Sequence, residues 1–281
     1  MKKATKRTSM RTEELLEKVR NILKDGGVEE ESDSEWIVSI TTGLKRSELF
    51  VNDAIQPLSV VDDAVKMAEK RAGGMPLWQV VGNTDFYGYK INVSGDVLTP
   101  RPETEELCEW IIRYAKKEDK ILDLCTGSGA IAITLKKKTG AKVTASDISE
   151  KALATAKENA KENNAEIEFI ESDMFEKIEG TYSIIVSNPP YIPSADIAHL
   201  DREVKDYEPL TALDGGKDGL DFYRIIAKES RNYLAEKGHL YMEVGINQAE
   251  DVKELLIKSG FTDVEIKKDI SGIERMIKAE K

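Results

Sequence analysis

The sequence predicts an α/β protein built on a doubly wound parallel sheet, and three observations carry that prediction. From Lys120 onward, short apolar strands alternate with helical periodicity, strand then loop then helix, several times over. A glycine loop, Gly127-Ser128-Gly129, joins the first of these strands to the first of these helices. Finally, Ser183-Ile184-Ile185-Val186-Ser187 is mostly β-branched and apolar, as expected of a strand covered on both faces. Asn188-Pro189-Pro190-Tyr191 cuts that run off, because proline supplies no ladder N–H and fixes φ.

In chain order, residues 12–72 are expected to form a small helical domain. Leu15, Leu16, Val19, Ile22 and Leu23 recur at helical spacing behind Thr12-Glu13-Glu14. Ser32 with Glu35 is a capping-box pattern ahead of Trp36, Ile37 and Ile40, and Gly43 suits the stop. Ser59 with Asp62 opens a third segment that Gly73-Gly74 ends. Residues 77–81 and 87–93 predict two strands around Gly82-Asn83, hence a connecting hairpin. Pro102 fits the first turn of a helix, with Glu103 and Glu105 at its positive end.

The alternating region follows. Strands are expected at 121–124, 143–146, 167–170, 183–187 and 239–244, and two more at the end of the chain. Helices are expected at 130–138, from Ser149 to about 163, around Leu220 to Leu234, and at 248–259. The domain boundaries predicted are 1–74 for the helical domain, 75–98 for the hairpin linker, and 99–281 for the sheet domain.

Composition narrows the function. A chain of 281 residues with 40% hydrophobic and 33% charged residues is ordinary for a water-soluble protein. No apolar run is long enough to span a bilayer and no secretory leader is evident, so a cytoplasmic location without membrane contact is expected. Cys108 and Cys125 are the only cysteines, and His199 and His239 the only histidines. A disulfide framework, a metal site and histidine-based catalysis are therefore not expected. The net charge is −11, and the basic residues Lys2, Lys3, Lys6, Arg7 and Arg11 are gathered at the start. A body this acidic argues against direct DNA binding, which needs a basic footprint.

The strand tip at 188–191 carries the most chemistry. Open α/β sheets bind ligands at the carboxyl ends of their strands. There, the Asn188 side-chain oxygen and the Pro189 carbonyl can accept two hydrogen bonds from one NH2 group, and the ring of Tyr191 can lie against the planar group bearing it. Gly127-Ser128-Gly129-Ala130-Ile131-Ala132 nearly fits the dinucleotide fingerprint. Asp147 ends the second strand, where ribose hydroxyls would be held, and Asp173-Met174 would flank an adenine. That pattern alone does not separate NAD from S-adenosylmethionine. Asp123 tilts the choice toward the latter, whose amino end is cationic.

Asp123-Leu124-Cys125-Thr126-Gly127-Ser128-Gly129-Ala130-Ile131-Ala132, Asn188-Pro189-Pro190-Tyr191 and Thr99-Pro100-Arg101-Pro102-Glu103-Thr104-Glu105 together resemble the PrmC/HemK protein glutamine methyltransferases. Tyr207-Glu208-Pro209, the 212–220 segment and Glu243-Val244-Gly245 with Gln248 extend the resemblance over practically the whole chain. The resemblance implies a class I methyltransferase fold, with a seven-stranded sheet whose final strand is antiparallel. It implies methyl transfer from S-adenosylmethionine to N5 of the glutamine in the Gly-Gly-Gln motif of peptide-chain release factors, by a monomer whose helical domain docks the substrate. Asn188, Pro189, Pro190 and Tyr191 would be catalytic. Thr99, Arg101, Asp123, Cys125, Thr126, Gly127, Ser128, Gly129, Asp147, Ile148, Asp173, Met174 and Asn188 would contact the cofactor.

Three positions depart from the family pattern. Cys125 stands where glycine is usual, Thr99 where isoleucine is usual, and Met174 where an aromatic can stack on adenine. An alternative is methylation of an adenine amino group in nucleic acid, which needs the same clamp and a flipped base. A non-catalytic adenosine-binding module and an NAD oxidoreductase are weaker alternatives.

Overall fold

The computed structural model describes residues 9–51 and 54–281. The basic cluster Lys2, Lys3, Lys6 and Arg7 lies outside them. The chain divides into two compact units, Met1–Gly82 with Arg202–Tyr207, and Asn83–Asp201 with Glu208–Lys281. The division falls after Gly82, beyond the Gly73-Gly74 pair.

The first unit contains β1 (Ser9–Arg11), α1 (Thr12–Asp25), α2 (Glu31–Thr42), β2 (Ile55–Pro57), α3 (Leu58–Ala72) and α4 (Leu77–Val81). Its core is the periodic apolar set, Leu15, Val19, Leu23, Ile37, Val38, Val61, Ala64 and Ala68, all nearly inaccessible. The ribbon of β1 against β2 has no signature in the sequence, since three-residue strands carry too little periodicity. Ser32 does not cap α2; the helix starts at Glu31 with Glu30 before it, and Ser32 lies within the first turn. Gly43 does end it, in the left-handed conformation at φ 74°. Arg71 is buried and donates to Asp33 at 2.7 Å, and its Nη1 lies 2.9 Å from Glu203.

The expected strand at 77–81 is a helix, α4. Pro76 precedes it and Gly82 stops it at φ 85°. Four apolar residues around Gln79 do not distinguish the two states by period, and the flanking Pro and Gly favour one helical turn. The hairpin is displaced accordingly. In the second unit, β3 (Asn83–Phe86) pairs with β4 (Tyr89–Asn92). Tyr87 and Gly88 both take positive φ at the turn, the combination that matches strand twist.

The second unit continues with α5 (Pro102–Ile112), β5 (Lys120–Leu124), α6 (Ala130–Thr139), β6 (Lys142–Asp147), α7 (Glu150–Glu162), β7 (Ile167–Glu171) and β8 (Tyr182–Ser187). The chain then runs through α8 (Arg202–Lys205), which groups with the first unit, and α9 (Leu210–Leu213). It finishes with α10 (Asp221–Tyr233), β9 (Leu234–Glu243), α11 (Ala249–Lys258), β10 (Thr262–Lys268) and β11 (Glu274–Glu280). Leu234, expected in a helix, opens β9 instead, so that strand begins five residues before His239.

The seven strands form one sheet in the order β10-β11-β9-β8-β5-β6-β7. Strands β5 to β9 pair in parallel, whereas β11 is antiparallel to both neighbours. This is the α/β class expected, final antiparallel strand included. The chain winds from β5 to β6 and β7 on one side, then to β8 and β9 on the other, so the switch point lies between β5 and β8. Register there pairs Leu124 with Ser187, whose hydroxyl donates to the Leu124 carbonyl at 2.9 Å. The glycine loop and the Asn188 turn therefore leave the sheet side by side. Among the described residues no helix is long and apolar enough to cross a membrane.

Candidate active site

A cavity of about 630 Å3 opens at this switch point, within the second unit. Its size is typical of a site for a small ligand. Its floor is the glycine loop, and the loop's geometry follows from its residues. Thr126 donates its N–H to the Ser146 carbonyl at 2.9 Å and its hydroxyl to Asp123 Oδ2 at 2.6 Å. Gly127 takes φ 54° and donates its N–H to Asp147 Oδ2 at 2.9 Å. Gly129 takes φ 81°, and a Cβ there would come within 3.0 Å of the Ala156 Cβ, so glycine is what lets α7 approach.

Cys125 also sits in the left-handed region, at φ 59°, where a side chain is strained. The glycine usual at this position in the resembling family has a physical reason in that angle. Met174, the second departure, takes φ 46°, and its Sδ lies 3.8 Å from Cys125 Sγ. The two departures therefore touch. Burial pushes the Cys125 thiol well up, so it is a packing group and not a reactive thiolate.

Two carboxylates face this loop. Asp147 accepts from the loop's Gly127 N–H at Oδ2 and from Ser149 N–H, before α7, at Oδ1, both at 2.9 Å, and retains free lone pairs. Burial raises its pKa against these hydrogen bonds. Asp123 is fully buried, no hydrogen bond from the described residues reaches its Oδ1, and burial pushes its carboxyl up to about 7 against the pull of Thr126 and the Ala132 backbone N–H. An orphaned buried carboxylate oxygen beneath a cavity is the mark of a missing cationic or donor partner. Beside the lone pairs of Asp147 and the apolar Ile148 and Met174, it fits the charge and shape of S-adenosylmethionine.

Arg101, Cys125, Thr126, Gly127, Ser128, Asp147, Ile148, Asp173, Met174, Asn188 and Pro190 line the cavity. Asp123, Gly129, Thr99, Pro189 and Tyr191 do not. Thr99 is buried behind the wall, its N–H 3.4 Å from Glu208 Oε1. Arg101 places Nη2 2.9 Å from both Glu208 oxygens and so ties the proline-rich stretch to the segment before α9. The Tyr191 ring lies beside Gly245, where an added Cβ would come within 3.0 Å of its Cδ2. Its carbonyl accepts from Gln248 Nε2 at 2.9 Å, and burial pushes its hydroxyl up to about 12.

The Asn188 turn presents acceptors. Asn188 is half-buried, and its Nδ2 donates to Thr104 Oγ1 at 3.4 Å. No hydrogen bond from the described residues reaches its Oδ1 or the Pro189 carbonyl.

With this geometry in place, the comparisons decide the family. A family model described as the methyltransferase small domain matches residues 107–200. A release factor glutamine methyltransferase of Geobacter sulfurreducens is 39% identical over 268 residues, covering 94% of each chain. One from Lactococcus lactis is 45% identical, over 72% of this chain and 76% of its own. The chain belongs to the release factor glutamine methyltransferase family. The fold of this family member also resembles a methyltransferase from Pyrococcus furiosus, with a TM-score of 0.55, 20% identity, and coverage of 69% of this chain and 89% of that one.

One residue of the site, Asn159, went unremarked in the sequence, and two others, Thr104 and Glu243, stood in the motifs with no role assigned. Asn159 is fully buried; its Nδ2 donates to the carbonyls of Asn92 at 3.0 Å and Ser128 at 2.9 Å, and its Oδ1 accepts from Asn92 N–H at 2.8 Å. One amide thus fastens the hairpin to the glycine loop. Thr104 and Glu243 back the Asn188 turn from α5 and β9. Both lie in stretches that carry the family resemblance, and Glu243 is also a lone charge in an apolar strand.

Proposed function

We propose that this chain transfers a methyl group from S-adenosylmethionine to the N5 side-chain amide nitrogen of the glutamine in the Gly-Gly-Gln motif of peptide-chain release factors, acting as a cytoplasmic monomer. The observation that carries this reading is the state of the Asn188 turn. Its NH2 is held by protein, whereas Asn188 Oδ1 and the Pro189 carbonyl keep their lone pairs. Two acceptors on adjacent residues match the two hydrogens of one amide NH2.

S-adenosylmethionine, when bound, supplies an electrophilic methyl on a sulfonium. Asp147 would accept from its hydroxyls, Asp123 would face its cationic amino end, and Ile148 and Met174 would border its base. On the acceptor side, an amide nitrogen is a weak nucleophile because its lone pair is delocalised. Holding both N–H groups orients that nitrogen and lends it electron density, and the proton it sheds on gaining the methyl would pass by way of Asn188 Oδ1 or the Pro189 carbonyl to water, so orientation and fixed dipoles carry the catalysis without a dedicated base. Tyr191 serves by anchoring the turn, through the Gln248 hydrogen bond, more than by facing the cavity. The nucleic-acid alternative is not favoured by the named relatives or by the net charge of −11.

Mass spectrometry of a release factor before and after incubation with the protein and S-adenosylmethionine tests this reading. One added methyl on the Gly-Gly-Gln peptide supports it. Methyl transfer to duplex DNA, with release factor unmodified, overturns it.

A further inference from the structure

Thr104 Oγ1 donates to Glu243 Oε2 at 2.6 Å, in a fully buried pair. A hydroxyl has one hydrogen, and here the carboxylate takes it. The Thr104 oxygen therefore offers only lone pairs to Asn188. The Asn188 amide must turn its NH2 inward to meet them, at 3.4 Å, which leaves Oδ1 outward. Reversed, the amide would set oxygen against oxygen inside and present two donors where an acceptor is required.

We propose that Glu243, acting through Thr104, is the positioning residue that fixes which face of the Asn188 amide meets the acceptor substrate. This deepens the reading above and rests on it. No contact between Glu243 and substrate is involved; the relay chooses between two orientations of equal shape and opposite hydrogen-bonding character.

The relay is sensitive to the charge of Glu243. Burial pushes that carboxyl up to about 7, against the pull of Thr104, Arg275 and Asn188, while Glu103 pushes the same way as burial. Arg275 itself lies 3.6 Å from Asp269, and Tyr223 gives its hydroxyl to the Glu243 backbone carbonyl at 3.0 Å. Tyr191 on the turn and Cys108 on α5 also feel the Glu243 charge. Above about 7 the carboxylate accepts from Thr104 and the amide is set. Below it, a protonated Glu243 can donate to Thr104, whose hydroxyl then turns to Asn188 and draws Oδ1 inward. Turnover is lost as pH falls through this value.

The experiment measures kcat, KM, S-adenosylmethionine affinity and melting temperature across pH 5.5 to 9 for wild type, Thr104→Val, Thr104→Ser and Glu243→Gln (a range chosen to bracket neutrality). Thr104→Val is expected to lower kcat roughly tenfold to a hundredfold with KM and cofactor affinity nearly unchanged, and Thr104→Ser to recover most of that loss. Glu243→Gln keeps an acceptor but no charge, so its signature is a reduced acid limb of kcat near neutrality. Asp123 titrates in the same range, and its contribution stays in this variant.

An unchanged kcat in Thr104→Val overturns the relay, as does an acid limb that survives in full in Glu243→Gln. Equal losses of kcat, cofactor affinity and melting temperature assign these residues a purely structural part, which also overturns it. If Thr104→Val does not fold, the pH profiles of wild type and Glu243→Gln decide alone. A wild-type protein that methylates no release factor removes the proposed function itself, a result distinct from any of these.

Discussion

Asp123→Asn separates the stability of the site from its function. Asp123 is fully buried, with one oxygen on Thr126 and the other without a partner. Burial pushes its carboxyl from an ordinary 3.8 up to about 7. That gap of roughly three pH units, at about 1.4 kcal/mol each, sets about 4 kcal/mol against ionisation in the folded state. The folded pKa lies above the unfolded one, so the folded state holds the extra proton between about 4 and 7. Stability therefore falls as pH rises through that window, and the whole penalty is present at pH 8. Asparagine cannot ionise, and its oxygen can still accept from Thr126. Its NH2 is left as an unpaired donor, at a cost of about 1–3 kcal/mol. The net expectation at pH 8 is a gain of about 1–3 kcal/mol, a rise of several degrees in melting temperature for a domain of this size. The gain should vanish as pH falls and turn into a loss of about 1–3 kcal/mol near pH 4, where wild type is also neutral. Function should move the opposite way. Without the carboxylate, S-adenosylmethionine affinity should fall tenfold or more, and the wild-type increase in affinity as pH rises through about 7 should be lost. Scanning calorimetry and isothermal titration at pH 5, 7 and 8 measure both. A variant that melts below wild type at pH 8, or binds the cofactor as tightly, refutes the reasoning.

Other outcomes follow from the same geometry. Asn188→Ala should remove detectable turnover while S-adenosylmethionine affinity, measured by titration, stays within a few-fold of wild type. Loss of both together would mean that the residue holds the fold of the site. At Cys125 the left-handed backbone costs a side chain about 1–2 kcal/mol, of which glycine returns about 0.5–1 kcal/mol as unfolded-state entropy. Cys125→Gly should therefore exceed Cys125→Ala in stability by about 1 kcal/mol in urea melts, and an equal or less stable glycine variant would contradict the strain at φ 59°. Asn159→Ala abandons three hydrogen bonds of a buried side chain and should cost about 2–4 kcal/mol, with weakened cofactor binding as the glycine loop loosens; unchanged binding would show that the hairpin does not brace the loop.

The elements that local pattern specifies were legible along the chain. The parallel strands, the glycine loop, Pro102 at a helix start, Ser149 as the cap of α7, and Gly43 as the stop of α2 each depend on a few consecutive residues. Steric freedom, a missing N–H or an available hydroxyl sets them within one turn. Where the run was too short for its period to count, as at Leu77–Val81, strand and helix were indistinguishable, and the flanking Pro76 and Gly82 decided.

The chemistry at strand tips was equally legible, because a strand's end places its next residues at the sheet edge whatever the rest of the chain does. What those residues bond to was not. Thr104 reaches Glu243 across 139 positions, Arg101 reaches Glu208 across 107, and Asn159 reaches Asn92 across 67. Local order in the sequence thus set which acceptors and glycines stand at the switch point. Only the folded sheet, by bringing α5, β8 and β9 together, set which way the Asn188 amide faces and buried Asp123 with one oxygen that no hydrogen bond from the described residues reaches. Hydrogen-bond orientation and burial depend on neighbours in space, and those neighbours exist only once the chain has closed.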